Sequence, residues 1–264
     1  MRICLRGLRF LRRYVFVNPK YTFAYLLFFW QKDFSFKAHL LSKEEFTNLL
    51  KNGKSLIRFG DGEINLMLGL RNHYQEFSPV LQKVMFEIVE SYNQDSSYIL
   101  SVPKFINCKN SELKTMDKLY VWLPLKIMFR LYFNKKEPYL DAHAFYYDGF
   151  LENTVGHVIR DKHIFIITKE ETINKQRSNP RIPWRQVDYI STPSESSLDS
   201  FDGIREKVLE AIKKYNKTDI VLLFALGPVG KKLIFELSKE GIQSLDIGRG
   251  IETMYTDESI AHLI

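Results

Sequence analysis

Two carboxylates lie close together directly after an apolar, strand-like pattern. Residues 55–63 read Ser-Leu-Ile-Arg-Phe-Gly-Asp-Gly-Glu, so only Gly62 separates Asp61 from Glu63. Side chains two apart on an extended chain point to the same side, where both carboxylates could bind one hard divalent cation such as Mn²⁺ or Mg²⁺. Glycines allow backbone to approach a phosphate, and Arg58 could pair with that phosphate or with an acid. The alternative is a strand and a tight turn whose acids are simply solvated.

A second glycine-containing segment, Leu-Gly-Pro-Val-Gly at 226–230, lies between a predicted strand and a predicted helix. Backbone N–H groups at Gly227 and Gly230, together with the helix N-terminus, could bind an anion such as a diphosphate. A tight turn that permits close packing is the alternative. Asp246 ends the next predicted strand, where it could accept a hydrogen bond from a ribose or sugar hydroxyl, or cap the turn.

The string Arg-Phe-Gly-Asp-Gly-Glu at 58–63 resembles the signature of the bacterial GT-D glycosyltransferases, in which a D-x-E pair holds a divalent metal against a nucleotide-sugar diphosphate. Residues 219–248 resemble the C-terminal block of the same family, and the resemblance covers 41–255. It implies a metal pair, further catalytic groups and donor-binding positions. These are Asp61 and Glu63 as metal ligands, Asp61, Glu63 and Arg58 as catalytic residues, and Gly60, Gly62, Gly227, Gly230, Asp246 and Arg249 at the donor.

Arg249 is a departure from the family pattern. The family block commonly continues Asp-x-Gly-His, whereas Asp246, Ile247 and Gly248 are followed here by arginine. A guanidinium cannot ligate a cation or act as a base near neutral pH. Arg249 is therefore expected to pair with a donor phosphate or an acidic acceptor instead.

Other polar residues give weaker indications. Five of them could act as general base for an acceptor hydroxyl: Asp141, His143, Asp148, Glu170 and Glu171. The sequence does not favour any one of the five. A basic cluster with one tryptophan could hold an anionic donor or acceptor, or could be an exposed loop: Lys175, Arg177, Arg181, Trp184 and Arg185.

Alternating patterns predict an α/β fold with a mainly parallel, Rossmann-like sheet flanked by helices. Strands are expected at 55–59, 98–102, 139–146, 163–168, 187–190, 220–226 and 243–247. Helices are expected at 41–50, 63–70, 79–92, 113–132 (interrupted at Pro124), 152–159, 201–215 and 229–239. Residues 174–184 are predicted to be a polar excursion over the active face. Ligands of such a sheet bind beyond the carboxyl ends of the strands, so both motifs should share one edge.

The charge is concentrated at the N-terminus. Of the 264 residues, 45% are hydrophobic, enough for a large core, and the net charge is +7. Six basic residues and no acid occur in the first twenty positions, and the other 244 residues carry 32 basic and 31 acidic groups: the six are Arg2, Arg6, Arg9, Arg12, Arg13 and Lys20. A nearly neutral body argues against nucleic-acid binding. Cys4 and Cys108 lack metal-ligand spacing, and the absence of a signal pattern favours the cytoplasm.

Residues 1–40 are interpreted as a basic and aromatic N-terminal helical arm, and 41–264 as the catalytic domain. The aromatic run 21–30 is shorter than the roughly 20 residues that span a bilayer. A basic helix followed by aromatics is typical of an interfacial anchor on an anionic membrane, here the inner face of the plasma membrane. The alternative is a helix packed on the body with solvated arginines.

Together these features predict a metal-dependent glycosyltransferase. It would move a sugar from a nucleotide-diphosphate donor, with a UDP-sugar as the expected donor, to a bacterial surface glycan or lipid-linked acceptor. One alternative is another α/β enzyme that uses a nucleotide or S-adenosylmethionine. The other is a non-catalytic scaffold of a polysaccharide assembly complex.

Overall fold

The computed structural model describes residues 19–71, 75–147, 149–180, 184–193 and 198–255. Its centre is a seven-stranded sheet in which every pairing is parallel. The strands are β1 Ser55–Arg58, β2 Tyr98–Val102, β3 Leu140–Asp141, β4 His163–Lys169, β5 Val187–Thr192, β6 Ile220–Phe224 and β7 Ser244–Asp246. Their spatial order is β3-β2-β1-β7-β6-β4-β5. The predicted parallel α/β sheet is confirmed.

Helices connect and cover the strands. The α-helices are α1 Pro19–Phe29, α2 Lys43–Lys51, α3 Asp61–Met67, α4 Pro79–Glu90, α5 Asn110–Thr115, α6 Leu119–Tyr132, α7 His157–Ile159, α8 Glu170–Ser178, α9 Phe201–Ile212 and α10 Gly227–Lys239. Short 3₁₀ segments are Lys104–Asn107, Ala144–Tyr146, Lys217–Asp219 and Gly248–Met254, and a π-helical turn spans Leu151–Gly156. Within the described ranges, no helix is long and apolar enough to cross a membrane.

Both faces of the sheet are buried. Successive side chains of a strand point to opposite faces, and in β6 Leu222 and Phe224 belong to one apolar core whereas Val221 and Leu223 belong to the other. All four side chains are fully buried. The uninterrupted apolar sequence of this strand is therefore explained by helices on both sides.

The helix before β1, α2, begins with a complete cap. Ser42 Oγ accepts the Glu45 N–H at 3.2 Å, and Glu45 Oε2 accepts the Ser42 N–H at 2.7 Å, which forms a complete capping box. The helix is followed by Gly53 in the left-handed region at φ +78°. The two ends of α2 fix where the chain enters β1, and therefore the position of Asp61 after that strand.

The predicted interruption at Pro124 is wrong. The chain instead breaks between α5 and α6, where Asp117 has φ +54° and the Lys118 N–H bonds to the Leu113 carbonyl at 2.8 Å. Pro124 lies inside α6. Most of that helix is buried, so tertiary packing offsets the hydrogen bond that proline removes.

Two other predictions need correction. Residues 139–146 are extended only at β3, since a turn and the 3₁₀ segment Ala144–Tyr146 follow. Residues 174–184 are not wholly an excursion, because α8 continues to Ser178.

The helix α1 packs against the body. Tyr21 and Tyr25 are buried in the main core beside α6. The segment after it is held by Lys126, whose Nζ donates to the Phe34 carbonyl, to the Cys108 carbonyl at 2.8 Å and to Asn110 Oδ1 at 2.7 Å. Burial lowers the pKa of Lys126 to about 8. Residues 1–18 of the predicted arm lie outside the described residues, and the domain boundary at residue 40 stays a prediction.

Candidate functional site

Three neighbouring strands bring the distant motifs together. β1, β7 and β6 are adjacent in the sheet, and their carboxyl ends lead into 58–63, 246–249 and 227–231 respectively. The Arg58 N–H lies 3.4 Å from Asp246 Oδ2, across 188 positions of sequence. The expectation that both motifs share one edge of the sheet is confirmed.

The D-x-E pair has a different geometry from the one predicted. Asp61 and Glu63 are the first and third residues of α3, not part of an extended chain. At 3.6 residues per turn, two positions correspond to a rotation of roughly 200°, so the two side chains leave opposite sides of the helix. Asp61 is exposed, whereas Glu63 is only 8% exposed. The expectation that the two side chains point to the same side is therefore wrong, and of the two acids only Asp61 faces solvent.

Glu63 is fully engaged inside the protein. Its Oε2 accepts the Gly60 N–H at 2.8 Å, which closes the first turn of α3. Its Oε1 lies 3.0 Å from Lys231 Nζ. The carboxylate thus stabilises the start of α3 in two ways. It accepts a hydrogen bond from an N–H group that has no partner within the helix, and its negative charge interacts favourably with the helix dipole.

Lys231 joins two of the motifs through a buried ion pair on each side. Its Nζ lies 3.0 Å from Glu63 Oε1 and 2.9 Å from Asp246 Oδ2. Burial alone lowers the pKa of Lys231, but the charges of Asp246 and Glu63 outweigh it and raise that pKa above its ordinary value. We call Glu63, Lys231 and Asp246 the ion triad.

Sequence reasoning missed Lys231, although a signal was present. The side chain belongs to the buried stripe of α10 that includes Ile234, Phe235 and Ser238, at spacings of three, four and seven. A lysine in an otherwise buried helical stripe requires a buried partner. Asp246, at the end of the next strand, was a candidate for that partner.

Arg58 is buried behind the triad. Its guanidinium donates from Nε to the Ala142 carbonyl at 2.9 Å and from Nη1 to the Ile247 carbonyl at 2.8 Å, and it lies 5.2 Å from the centre of the Tyr146 ring. Burial lowers the pKa of Arg58, but Tyr146 and Asp246 raise it above the ordinary value. Arg58 therefore connects β1, the turn after β3 and the end of β7, and supplies a fixed positive charge.

The glycines of the two motifs have different roles. Gly248 has φ +47°, and a Cβ there would lie 2.3 Å from Arg58 Nη1, so glycine is required by both backbone and space. Gly227 has φ +58° and would have open space around a Cβ, whereas a Cβ at Gly230 would lie 3.2 Å from the Leu226 side chain. Gly227 thus keeps accessible backbone at the start of α10, and Gly230 allows close packing.

The candidate bases Asp141 and His143 lie at the end of β3. Asp141 Oδ1 accepts the N–H groups of Lys104 at 3.2 Å and His143 at 3.1 Å, and Oδ2 accepts the Tyr147 hydroxyl at 3.3 Å. His143 is 7% exposed, and within the described part of the chain its Nδ1 has no hydrogen-bond partner. Asp148, the third candidate in this region, lies outside the described residues.

We expect His143 to make the protein acid-sensitive. Burial, followed by the charges of Arg58, Lys104 and Lys118, lowers its pKa from 6.5 to about 3. The unfolded chain therefore binds a proton that the folded protein rejects, so stability present above pH 6.5 is lost as the pH falls towards 3, by at most roughly 1.4 kcal/mol per pH unit. Denaturant unfolding of His143→Gln should show a flatter pH dependence in this window. The exposed His157→Gln serves as control, and identical slopes for both variants would contradict the assignment.

The predicted basic cluster is dispersed. Lys175 pairs with Glu171 at 2.6 Å, Arg185 lies 3.5 Å from Asp161, and Arg177 lies over the Tyr189 ring. Trp184 packs in the second core, and Arg181 lies outside the described residues. Among the described residues, these side chains therefore do not form one anion site.

The end of β4 borders an open groove of about 470 Å³. Its walls come from α8 and the C-terminal 3₁₀ segment: Glu171, Asn174, Lys175, Ser178, Asn179 and Tyr255. The same 3₁₀ segment carries Arg249, whose Nε and Nη2 donate to Glu252 at 2.8 and 3.2 Å. The pairing of Arg249 with a donor or acceptor anion stays a prediction.

The described residues contain no group of three or more histidines, cysteines or acids arranged to hold a metal ion. Asp61 is nevertheless suited to be one ligand, because it is exposed on the first turn of a helix. Mg²⁺ is commonly bound through one or two carboxylates with substrate phosphates and water, not by a protein cage. The residues fit such a cation with Asp61 as ligand, whereas Glu63 is already paired with Lys231.

Comparison with known proteins agrees with this architecture. In a parallel α/β sheet, ligands bind at the edge formed by the carboxyl ends of the strands, where the polar groups of the central strands lie in this structure. Residues 56–256 match the model of the family described as "Glycosyltransferase GT-D fold". The chain belongs to this family and has the GT-D fold.

Individual relatives are distant. A protein of Streptococcus gordonii named "Probable glycosyl transferase Gly" is 23% identical over 209 residues, which are 76% of this chain and 30% of that protein. The chain thus spans under a third of that relative's length. The structure titled "A New Glycosyltransferase (DUF1792) from Streptococcus sanguinis" has a TM-score of 0.67 at 20% identity, covering 82% of this chain and 83% of that one.

A further structure, titled "The highly conserved domain of unknown function 1792 has a distinct glycosyltransferase fold", has a TM-score of 0.66 at 19% identity. It covers 82% of this chain and 80% of that one. At such identities, the structural matches establish the shared fold. They do not identify the donor or the acceptor, which must be inferred from the residues of the site.

Proposed function

We propose that this protein is a glycosyltransferase that moves a sugar from a nucleotide-diphosphate donor to a surface glycan or a lipid-linked acceptor. The observation that carries the proposal is the convergence of an exposed Asp61, the open turn at Gly227 and the ion triad at the ends of three adjacent strands. This edge offers N–H donors and a carboxylate together, which are the groups that a diphosphate and its cation require.

The donor diphosphate is proposed to bind at the start of α10. This 13-residue helix directs its N-terminal N–H groups and dipole towards the edge. Gly227 leaves backbone accessible there, and a UDP-sugar is the expected donor. Gly60, Gly62 and Asp246 border the same region, with Asp246 acting through Lys231.

The metal in this proposal is Mn²⁺ or Mg²⁺, held by Asp61 and by donor oxygens. When bound, such a cation neutralises the charge that develops on the departing nucleoside diphosphate. The ion triad would keep α3 and α10 in register, so that Asp61 and the Gly227 turn approach the same diphosphate. Arg58 adds a preorganised positive charge behind them.

The acceptor site and the location of the enzyme are inferred from other parts of the chain. The groove beside Tyr255 is on the same edge of the sheet, two strands away from β7, and could receive an acceptor carrying hydroxyl groups. The strongly basic N-terminal segment supports a cytoplasmic enzyme held at the inner face of the plasma membrane, next to a lipid-linked acceptor.

Thermal-shift measurements with nucleotide sugars test the proposal. A donor at about 100 times its Kd stabilises the folded state by roughly 2.7 kcal/mol, which corresponds to roughly 5–10 °C for a chain of this size. The shift should require Mn²⁺ or Mg²⁺ and disappear with EDTA. A shift with S-adenosylmethionine, or one insensitive to EDTA, would favour another α/β enzyme. No shift and no hydrolysis with a panel of nucleotide sugars would favour a scaffold.

A further inference from the structure

The helix α1 is apolar on two sides. Its inner side, Tyr21, Ala24 and Tyr25, is buried against the body. A second set of apolar side chains, at spacings of three, four and seven residues, is exposed to solvent, and we call it the outer stripe. Its members are Phe23, Leu26, Leu27 and Trp30, with exposures of 71, 52, 49 and 78%.

An outer stripe of this kind is unusual for a surface helix. Single exposed apolar residues are common, but a continuous row of them marks an interaction surface. The opposite side of an amphipathic helix normally carries polar and charged groups. Neighbouring α6 adds exposed Val121 next to Tyr120, whose ring lies 6.0 Å from that of Phe29.

The body holds this helix firmly. Asn110 Nδ2 donates to the carbonyls of Phe28 at 2.8 Å and Gln31 at 3.0 Å, which satisfies the C-terminal end of α1. The Ser111 N–H bonds to the Lys32 carbonyl at 2.9 Å. The outer stripe therefore belongs to a helix that is anchored to the body. Loose packing of α1 does not explain why these side chains are exposed.

The charge of the sequence in and around α1 indicates the chemistry of the partner that the outer stripe would bind. Residues 1–18, immediately before α1, contain five arginines and no acid. Lys20 lies in the first turn of α1 and Lys32 follows its end, and the nearby acid Asp33 already pairs with Lys109 at 3.1 Å. A basic segment beside exposed aromatic and aliphatic side chains is complementary to a surface that is anionic outside and apolar beneath. A second copy of this chain would add further arginines without neutralising them.

We propose that the outer stripe is a membrane-docking face that inserts into the interface of an anionic bilayer while the preceding arginines bind its headgroups. This inference deepens the membrane part of the proposed function. Because vesicle binding can be measured without a donor, its failure would leave the proposed transfer reaction untouched.

Flotation of the full-length protein with vesicles tests the inference. Phosphatidylcholine vesicles containing phosphatidylglycerol should bind the protein at low salt, and pure phosphatidylcholine vesicles should bind it far less. Raising salt shortens the Debye length from about 30 Å at 0.01 M to roughly 8 Å at physiological strength. A salt-resistant fraction should remain, because apolar insertion is not screened.

The matched variants separate the stripe from the arginines. Phe23→Gln with Leu27→Gln should reduce binding to anionic vesicles about tenfold or more and remove the salt-resistant fraction. Phe77→Gln with Val80→Gln changes two apolar residues elsewhere, exposed by 39 and 55%, and should have no effect. Both variants should retain the wild-type melting temperature, since all four side chains are exposed.

Tryptophan fluorescence reports insertion directly. Trp122 is buried and Trp184 is half-buried, so a blue shift on adding anionic vesicles should come from Trp30 and disappear in Trp30→Phe. Unchanged vesicle binding in the stripe variant would overturn the inference, since the arginines alone would then suffice. Concentration-dependent dimerisation that the stripe variant abolishes, without vesicle binding, would show an interface between copies instead.

Discussion

Asp61→Asn is expected to reduce metal-dependent donor binding strongly while leaving the fold intact, and Glu63→Gln is expected to weaken both donor binding and folding stability. The two acids are two positions apart, yet their surroundings differ. Asp61 is exposed on the first turn of α3, and an exposed substitution there should change stability by no more than about 0.5 kcal/mol. Losing a carboxylate ligand should reduce donor affinity in Mn²⁺ on the order of 100-fold.

Glu63→Gln changes a buried partner of Lys231. The amide retains an oxygen for the Gly60 N–H but removes the charge that faces Nζ at 3.0 Å. Hydrogen bonds to charged groups contribute roughly 1.5–3 kcal/mol, so unfolding free energy should fall by about that amount. Donor affinity should fall as well, because α3 loses part of its attachment to α10.

Isothermal titration with a UDP-sugar and Mn²⁺, combined with urea unfolding, distinguishes the two roles. The exposed Asp202→Asn, at the start of α9, is a control for loss of a surface acid near a helix N-terminus. If Asp61→Asn binds donor normally at limiting Mn²⁺, Asp61 is not the ligand. If Glu63→Gln loses metal-dependent binding without loss of stability, Glu63 itself reaches the cation when donor is present.

Much of the fold followed from local sequence. The capping box of Ser42 and Glu45, the apolar run of β6 and the glycine turn before α10 each specify structure through contacts within a few residues. Parallel strands then place both motifs at one edge, because their carboxyl ends must lie together. The family resemblance was also correct, since it depended on those same two segments.

The sequence could not predict which side of a helix faces solvent, or which residues from distant parts of the chain come into contact. Whether Glu63 faces solvent is decided by α3 beginning at Asp61 instead of two residues later, a shift within the usual uncertainty of helix boundaries. Lys231 meets Glu63 and Asp246 only after β7 has been inserted between β1 and β6, an order that local patterns do not determine.

Lys231→Met is expected to be the most destabilising of these substitutions. It removes the ammonium that pairs with two buried carboxylates, and breaking a buried ion pair by deleting one partner costs about 3–5 kcal/mol. The neighbouring Lys232→Met is the matched control. Lys232 is more exposed, pairs with Glu236 along α10, and should lose no more than about 1 kcal/mol.

A double variant provides an independent check. Adding Asp246→Asn to Lys231→Met should restore part of the lost stability, since one of the two buried carboxylates that face the lost lysine is then neutral. Urea unfolding of the single and double variants measures this recovery. Equal urea midpoints for Lys231→Met and Lys232→Met, or a double variant no more stable than Lys231→Met, would mean that the ion triad does not hold α3 and α10 together.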